Sequence, residues 1–181
     1  PPKENVEAVG TVSAQQDLLK TLANRMSAPS KTALLAAEKT GALVTQLAAR
    51  NPLVRAEFSS FASEVDDGDL GAFGNIKNNI SHLDISRTRI TDKALQTAGT
   101  FPNLTWLNVR NTKVTDNGLK SISNLKYLRY INLSGTQVTD KGTATLAQMK
   151  DIEEVYLWAS KVSEKGVANL RKSLPEAKIL Y

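Results

Sequence analysis

His82, Asp84 and Ser86 place the three side-chain types of a hydrolytic triad in one short stretch, His82-Leu83-Asp84-Ile85-Ser86. Aliphatic residues alternate with them, which is the period of a strand, so all three project from the same face. On a strand, side chains at i and i+2 stand about 6.5–7 Å apart at their bases, and three in a row cannot converge on one reacting atom. Nothing nearby in the sequence offers a preorganised oxyanion site. The stretch is therefore expected to present exposed polar residues on a sheet. His82 is the only histidine, and the chain has no cysteine. That rules out disulfides, thiolate metal sites, a cysteine nucleophile and covalent haem attachment within this chain. The acidic run Glu64-Val65-Asp66-Asp67-Gly68-Asp69 lacks the downstream glutamate of a calcium loop. No glycine-rich phosphate loop or glycosidase acid pair stands out. The expectation is a non-enzymatic chain with no metal site and no cofactor of its own.

The element that carries His82 recurs along the chain. The phrases ITDKAL, VTDNGL, VTDKGT and VSEKGV begin at Ile90, Val114, Val138 and Val162, 24 residues apart. They define four units, 80–103, 104–127, 128–151 and 152–175. Each unit opens with an aliphatic residue (Ile80, Leu104, Leu128, Ile152) and continues with a pair two residues apart, such as Leu83 and Ile85, Leu107 and Val109, or Val155 and Leu157. After the phrase, Leu95 and Ala98, or Leu119 and Ile122, fall three apart, which is helical spacing. Each unit is thus a short strand, a turn and a short helix. Thr91-Asp92, Thr115-Asp116, Thr139-Asp140 and Ser163-Glu164 stand at the helix entries, where hydroxyls cap free amides and acids suit the helix dipole. Glycine at Gly118, Gly142 and Gly166 costs about 1 kcal/mol in a helix, which implies a close approach by the neighbouring unit's helix. Units of this size cannot bury an apolar face alone, so they must stack. Strands about 4.8 Å apart and helices about 8–10 Å apart bend the stack into a horseshoe with the sheet inside.

These residues carry a family resemblance. LTWLNVRNTKVTDNGLKSISNLKY resembles the leucine-rich-repeat pattern, with Thr112 where many repeats carry Asn or Cys, and Thr88, Thr136 and Ser160 continuing that column. The tail LSGTQVTDKGTATLAQMKDIEEVYLWASKVSEKGVANLRKSLPEAKI is similar to the repeats that follow the haem domain in bacterial membrane-anchored c-type cytochrome proteins. The resemblance implies an α/β leucine-rich-repeat solenoid with a parallel concave sheet and short convex helices. It also implies a periplasmic or otherwise extracytoplasmic setting. The haem-binding Cys-x-x-Cys-His is absent here, so any cytochrome role would belong to another segment.

The ends of the array are less regular. Residues 1–41 read as a loose leader (1–12) followed by a helical N-terminal cap, with one amphipathic helix on Leu18, Leu19, Leu22 and Met26 and a second starting after Ser30. These helices are expected to cover the open end of the solenoid. Residues 42–79 hold two irregular strands and a degenerate first repeat, whose VDDGDL (65–70) is a worn copy of the phrase. Residues 176–181 read as a last strand beside 154–158, and the whole forms one structural domain. The opening Pro1-Pro2-Lys3 reads as that of a fragment or mature piece of a longer protein.

Function is sought on the inner face. Positions between the buried aliphatics form three columns: His82, Trp106, Tyr130, Glu154; then Asp84, Asn108, Asn132, Tyr156; then Ser86, Arg110, Ser134, Trp158. Both tryptophans fall there, and aromatics and arginine are enriched at binding hot spots. The expected binding surface is one patch of Trp106, Arg110, Tyr130, Tyr156 and Trp158, with Asn108, Asn132, His82, Asp84 and Glu154 around it. A protein partner is the leading expectation. A glycan is the alternative, since exposed Trp and Tyr beside Asn and Asp can stack on and hydrogen-bond sugar rings. A third reading is a structural appendage with no ligand. Net charge is +5, but the basic residues are scattered singly, so nucleic acid is not expected. No apolar run reaches the roughly 18 residues of a membrane span, and no membrane contact is expected.

Overall fold

The computed structural model describes residues 4–58 and 63–181, with side chains from Ala14 onward in the first helix. Two helices lead, α1 (Glu4–Ala23) and α2 (Lys31–Glu38), followed by a hairpin of β1 (Leu43–Gln46) and β2 (Val54–Glu57). A 3₁₀ segment, Asp69–Ile76, precedes β3 (Ile80–Asp84). Strand and helix then alternate: α3 (Asp92–Ala98), β4 (Trp106–Asn108), α4 (Asp116–Ile122), β5 (Tyr130–Asn132). The array ends with α5 (Asp140–Leu146), β6 (Glu154–Tyr156), α6 (Glu164–Ser173) and β7 (Lys178–Leu180). The seven strands form one sheet in chain order, β1 antiparallel to β2 and every later pair parallel. Leu83, Leu107, Ile131 and Val155 lie in register across four strands and are fully buried, and Leu95, Leu119 and Leu146 of the helices are fully buried with them. The core is thus one continuous layer between sheet and helices.

The repeated phrase has a double use. Thr91, Thr115 and Thr139 accept a backbone N–H of their own helix, from Lys93, Asn117 and Lys141, at 3.2–3.3 Å. The aspartate beside each threonine serves the next unit instead. Asp92 accepts from the amide and the hydroxyl of Thr115, both at 2.7 Å; Asp116 does the same for Thr139 at 2.8 and 2.7 Å, and Asp140 for Ser163 at 2.7 Å each. Asp67 does it for Thr91, so the worn copy of the phrase works like the clean ones. Glycine goes with the three bridges that span 23 residues, whereas at Asp67, 24 residues before Thr91, the position is Ala94, whose amide also donates to Asp67 Oδ1 at 3.2 Å. A Cβ on Gly118 would lie 2.6 Å from Asp92 Oδ1, and one on Gly142 would lie 2.5 Å from Asp116 Oδ1. It is a carboxylate, more than the bulk of a helix, that keeps the position empty. Thr88, Thr112 and Thr136 donate to the carbonyls of Ile85, Val109 and Leu133 at 2.6–2.7 Å, satisfying buried turn groups. Between strand and phrase the chain turns through the left-handed region at Arg87, Asn111, Gly135 and Ala159.

Three expectations change at the N-terminal end. The backbone is helical already from Glu4, where a loose leader was expected, because residues 4–12 hold no breaker stronger than Gly10. The first unit carries a 3₁₀ segment in place of a helix, since Gly71 and Gly74 lower helix propensity there. Only α2 covers the end of the core: Ser30 caps it through Ala33 N at 3.2 Å, Ala37 is fully buried, and it packs on the 3₁₀ segment and β1. α1 goes elsewhere, as described below.

Candidate functional site

The strands that carry the buried aliphatics also fix what faces inward, because side chains alternate along a strand. Register pairs His82 with Trp106, Trp106 with Tyr130, and Asn132 with Tyr156. The rings meet in a ladder. Trp106 and Tyr130 stack with centroids 4.6 Å apart and planes 10° apart. His82 lies on the other side of Trp106 at 6.1 Å and 21°, and Tyr156 tilts against Tyr130 at 5.1 Å and 43°. Both faces of Trp106 and of Tyr130 are therefore occupied by neighbouring rings, and what these two present outward is ring edge, the electropositive rim of an aromatic. Tyr156 donates to Glu154 Oε2 at 2.8 Å, and its hydroxyl pKa is pushed up to about 12 by burial and by that carboxylate. Burial, opposed by Asn132 and aided by Glu154 and Asp84, raises that of Tyr130 as well.

The expected patch is only partly assembled. Trp158 is 65% exposed and makes no ring contact with the ladder. Arg110 lies in a separate cleft of about 270 Å³ with Glu57, Arg87, Asn108 and Asn132, and its Nε is buried without a hydrogen-bond partner. Asp84, Asn108 and Asn132 are half committed to the frame: their Oδ1 atoms accept the amides of Ser86, Arg110 and Ser134 at 3.0–3.1 Å. Asn108 also donates to Asp84 Oδ2 at 3.0 Å. Arg129 pairs with Glu153 at 3.7 Å below the patch.

His82 corrects the expectation of an exposed polar residue. It is 8% exposed, with Ser81 Oγ 3.0 Å from its Nδ1 and Trp106 against its ring. Burial, and then the positive charge of Arg55, lower its pKa to about 4. Ser86 lies two residues beyond Asp84 on the chain, and Ser81 Oγ, beside His82 Nδ1, also donates to Val54 O at 3.2 Å. Among the described residues, no group of three His, Asp or Glu side chains is placed to hold a metal ion. No described helix is long and apolar enough to cross a membrane.

Sequence reasoning missed Arg55 and Glu57, which join His82, Asp84, Trp106 and Gln15 around a second cleft of about 380 Å³. The signal was present: Arg55 and Glu57 flank buried Ala56, and Val54 pairs with Ile80. Gln15 had no such signal, since its element lies far away in sequence.

An open sheet, parallel from β2 onward, with one short helix after each of β3–β6 and a 24-residue period, defines the class as an α/β leucine-rich-repeat solenoid. In sequence, residues 102–123 and 124–147 each match the family model for the Leucine Rich repeat. A leucine-rich-repeat protein of Leptospira interrogans has a similar structure, with 24% identity and a TM-score of 0.46 over 61% of this chain and 27% of that one. An internalin of Listeria monocytogenes is similar at 15% identity and a TM-score of 0.44, over 60% of this chain and 36% of that one. The chain thus spans well under half the length of either structure. No curated protein matches it in sequence. Leucine-rich-repeat domains are typically protein-interaction modules and are generally not enzymes.

Proposed function

We propose that the chain binds a protein partner through its concave face, at the aromatic ladder and the arginine cleft beside it. The observation that carries this reading is the occupancy of the ring faces. Sugar recognition by stacking needs a free aromatic face, and the ladder spends both faces of Trp106 and Tyr130 on its own rings. The outward edges, the Tyr156–Glu154 pair and the cleft lined by Arg110 suit peptide carbonyls, side-chain carboxylates and aliphatic contacts. Trp158 alone offers an open face, which supports a hot-spot anchor more than a sugar platform. Placement outside the cytoplasm, and attachment to a haem-carrying membrane protein, remain proposals that rest on the resemblance of the repeats.

Selection of a displayed peptide library on the folded chain, beside an oligosaccharide panel, tests this. Peptide ligands are expected, and Tyr156→Ala or Trp158→Ala should weaken them by about 2 kcal/mol, roughly thirtyfold. Lys120→Ala and Lys141→Ala, on the helices, should leave affinity unchanged. Ligands that ignore the concave substitutions and fail with the helix ones, or a saturable oligosaccharide, would overturn the reading.

A further inference from the structure

α1 lies along the concave face. The segment that follows it is tied at the foot of the sheet, where Asn79 Nδ2 donates to Ser27 O at 3.0 Å and reaches Met26 Sδ at 3.7 Å, and Arg25 Nη1 donates to Tyr127 Oη at 3.5 Å. Eleven residues earlier, Gln15 lines the cleft of Arg55, Glu57, His82 and Trp106. From Gln15 to Ala23 the helix rises about 12 Å before the turn to Met26, and the strand from Asn79 to Asp84 advances about 16 Å. The helix therefore runs antiparallel to β3, over the inner side of the β2–β4 rungs. Gln15, Leu18, Leu19, Leu22 and Ala23 are the buried or half-buried positions among its described side chains, a single face at i, i+3, i+4, i+7 and i+8, while Gln16, Asp17, Lys20 and Thr21 stay exposed.

The seat is specific and the attachment slight. His82, in the cleft that Gln15 of α1 also lines, is buried, whereas Trp106, Tyr130 and Glu154, which follow it in the same column, are half-buried. Among the described side chains of α1 only Leu22 is fully buried, and it stands outside the continuous core that joins sheet and helices. The core closes without α1, so the surface beneath it is formed by the repeats themselves.

We propose that the inner side of β2–β4 is a groove for an amphipathic helix, occupied in cis by α1, and that the partner of the concave face is such a helix, bound in α1's place. The partner carries leucines at the spacing of Leu18, Leu19 and Leu22, with a hydrogen-bonding side chain at the position of Gln15 facing His82 and Trp106. Recognition is by an apolar stripe in a preformed groove. α1 lowers the apparent affinity by the fraction of time it is seated, so loosening it strengthens binding in trans. The proposal rests on the concave face being a protein-binding surface.

His82, the only histidine, gives a reporter without background. In the full chain with Leu22→Asp, the imidazole followed by NMR is expected to titrate near the ordinary histidine value, with the sheet amides still protected from exchange. A synthetic peptide of residues 4–27 should then bind saturably and return the imidazole to its low pKa. The same peptide with Leu22→Asp should bind about tenfold more weakly or worse. An imidazole that stays low with α1 amides still protected, or a peptide that binds without moving it, overturns the proposal. Should Leu22→Asp unfold the chain, hydrogen exchange on the unaltered protein decides. Exchange of residues 15–23 well ahead of β3–β5 supports a separable α1, and exchange of both together overturns it. Library ligands that depend on Tyr156 while α1 stays seated would sink the groove and leave the protein-binding reading intact. Peptide binding in trans beside library ligands indifferent to Tyr156 and Trp158 would do the reverse.

Discussion

Gly118 and Asp92 should behave as one unit in a mutant cycle. A Cβ at Gly118 would lie 2.6 Å from Asp92 Oδ1 and 3.0 Å from Leu95 Cδ1, and that same Oδ1 accepts the Thr115 amide at 2.7 Å. The carboxylate cannot retreat without loosening this bond and the one from the Thr115 hydroxyl, also 2.7 Å. Replacing glycine by alanine in a helix gains about 1 kcal/mol in the absence of other effects. Hydrogen bonds to a charged group contribute about 1.5–3 kcal/mol each, so displacing the carboxylate outweighs that gain. Gly118→Ala should therefore destabilise by about 1–3 kcal/mol, and Asp92→Ala by about 3 kcal/mol. With Asp92 already replaced, only the mobile end of Leu95 remains in the way, and Gly118→Ala should stabilise by up to about 1 kcal/mol. The sign of one substitution reverses with the other, a coupling of about 2–4 kcal/mol. Urea unfolding of the four chains measures it, read as midpoint changes at constant slope. Equal cost of Gly118→Ala in both backgrounds would refute the argument and return the glycine to helix–helix contact.

Two further predictions follow from single residues. His82 is held neutral among Arg55, Glu57, Asp84 and the Ser81 hydroxyl, with its pKa lowered to about 4. As pH falls the unfolded chain takes up the proton first, so this contribution is complete above about pH 6.5 and is lost towards pH 4, to a limit of about 3 kcal/mol; His82→Gln should flatten urea midpoints across that window. Ala159 holds φ at 55°, a conformation that costs a side-chain-bearing residue about 1–2 kcal/mol. Ala159→Gly should raise thermal stability by about 0.5–1 kcal/mol after glycine's entropy is set against the relief, and an unchanged or lower melting temperature would contradict the strain.

Repetition made the frame legible. Leu83, Leu107, Ile131 and Val155 report one buried position four times, so chance at any single unit averages out, and the strands and helices fall where the columns place them. The ladder residues were legible for the same reason, as members of columns. Four things were not. Which way an aromatic presents itself depends on its neighbours' rotamers, so the stacking that hides the faces of Trp106 and Tyr130 leaves no trace in spacing. The cleft at His82 takes one of its walls, Gln15, from an element more than fifty residues away. The stripe on α1 says that one face is covered and nothing about what covers it. And the aspartate in each phrase reads as a local cap because its partner lies in the following unit, 23 residues on.

That displaced partnership has a consequence for how such a chain can change over generations. Asp92 meets Thr115, and Asp116 meets Thr139, at the same offset of 23 residues and with the same two bonds. An unequal crossover that excised residues 104–127 would set Asp92 opposite Thr139 at the original offset, with Gly142 making room for the carboxylate as Gly118 does. The joints that span 23 residues are interchangeable with one another, so the number of units between them can drift while the frame stays intact. What an excision alters is the inner face, which would lose Trp106, Asn108 and Arg110 as a set. Length and surface chemistry are inherited here as one character, and a duplicated unit is free to diverge in its outward residues alone.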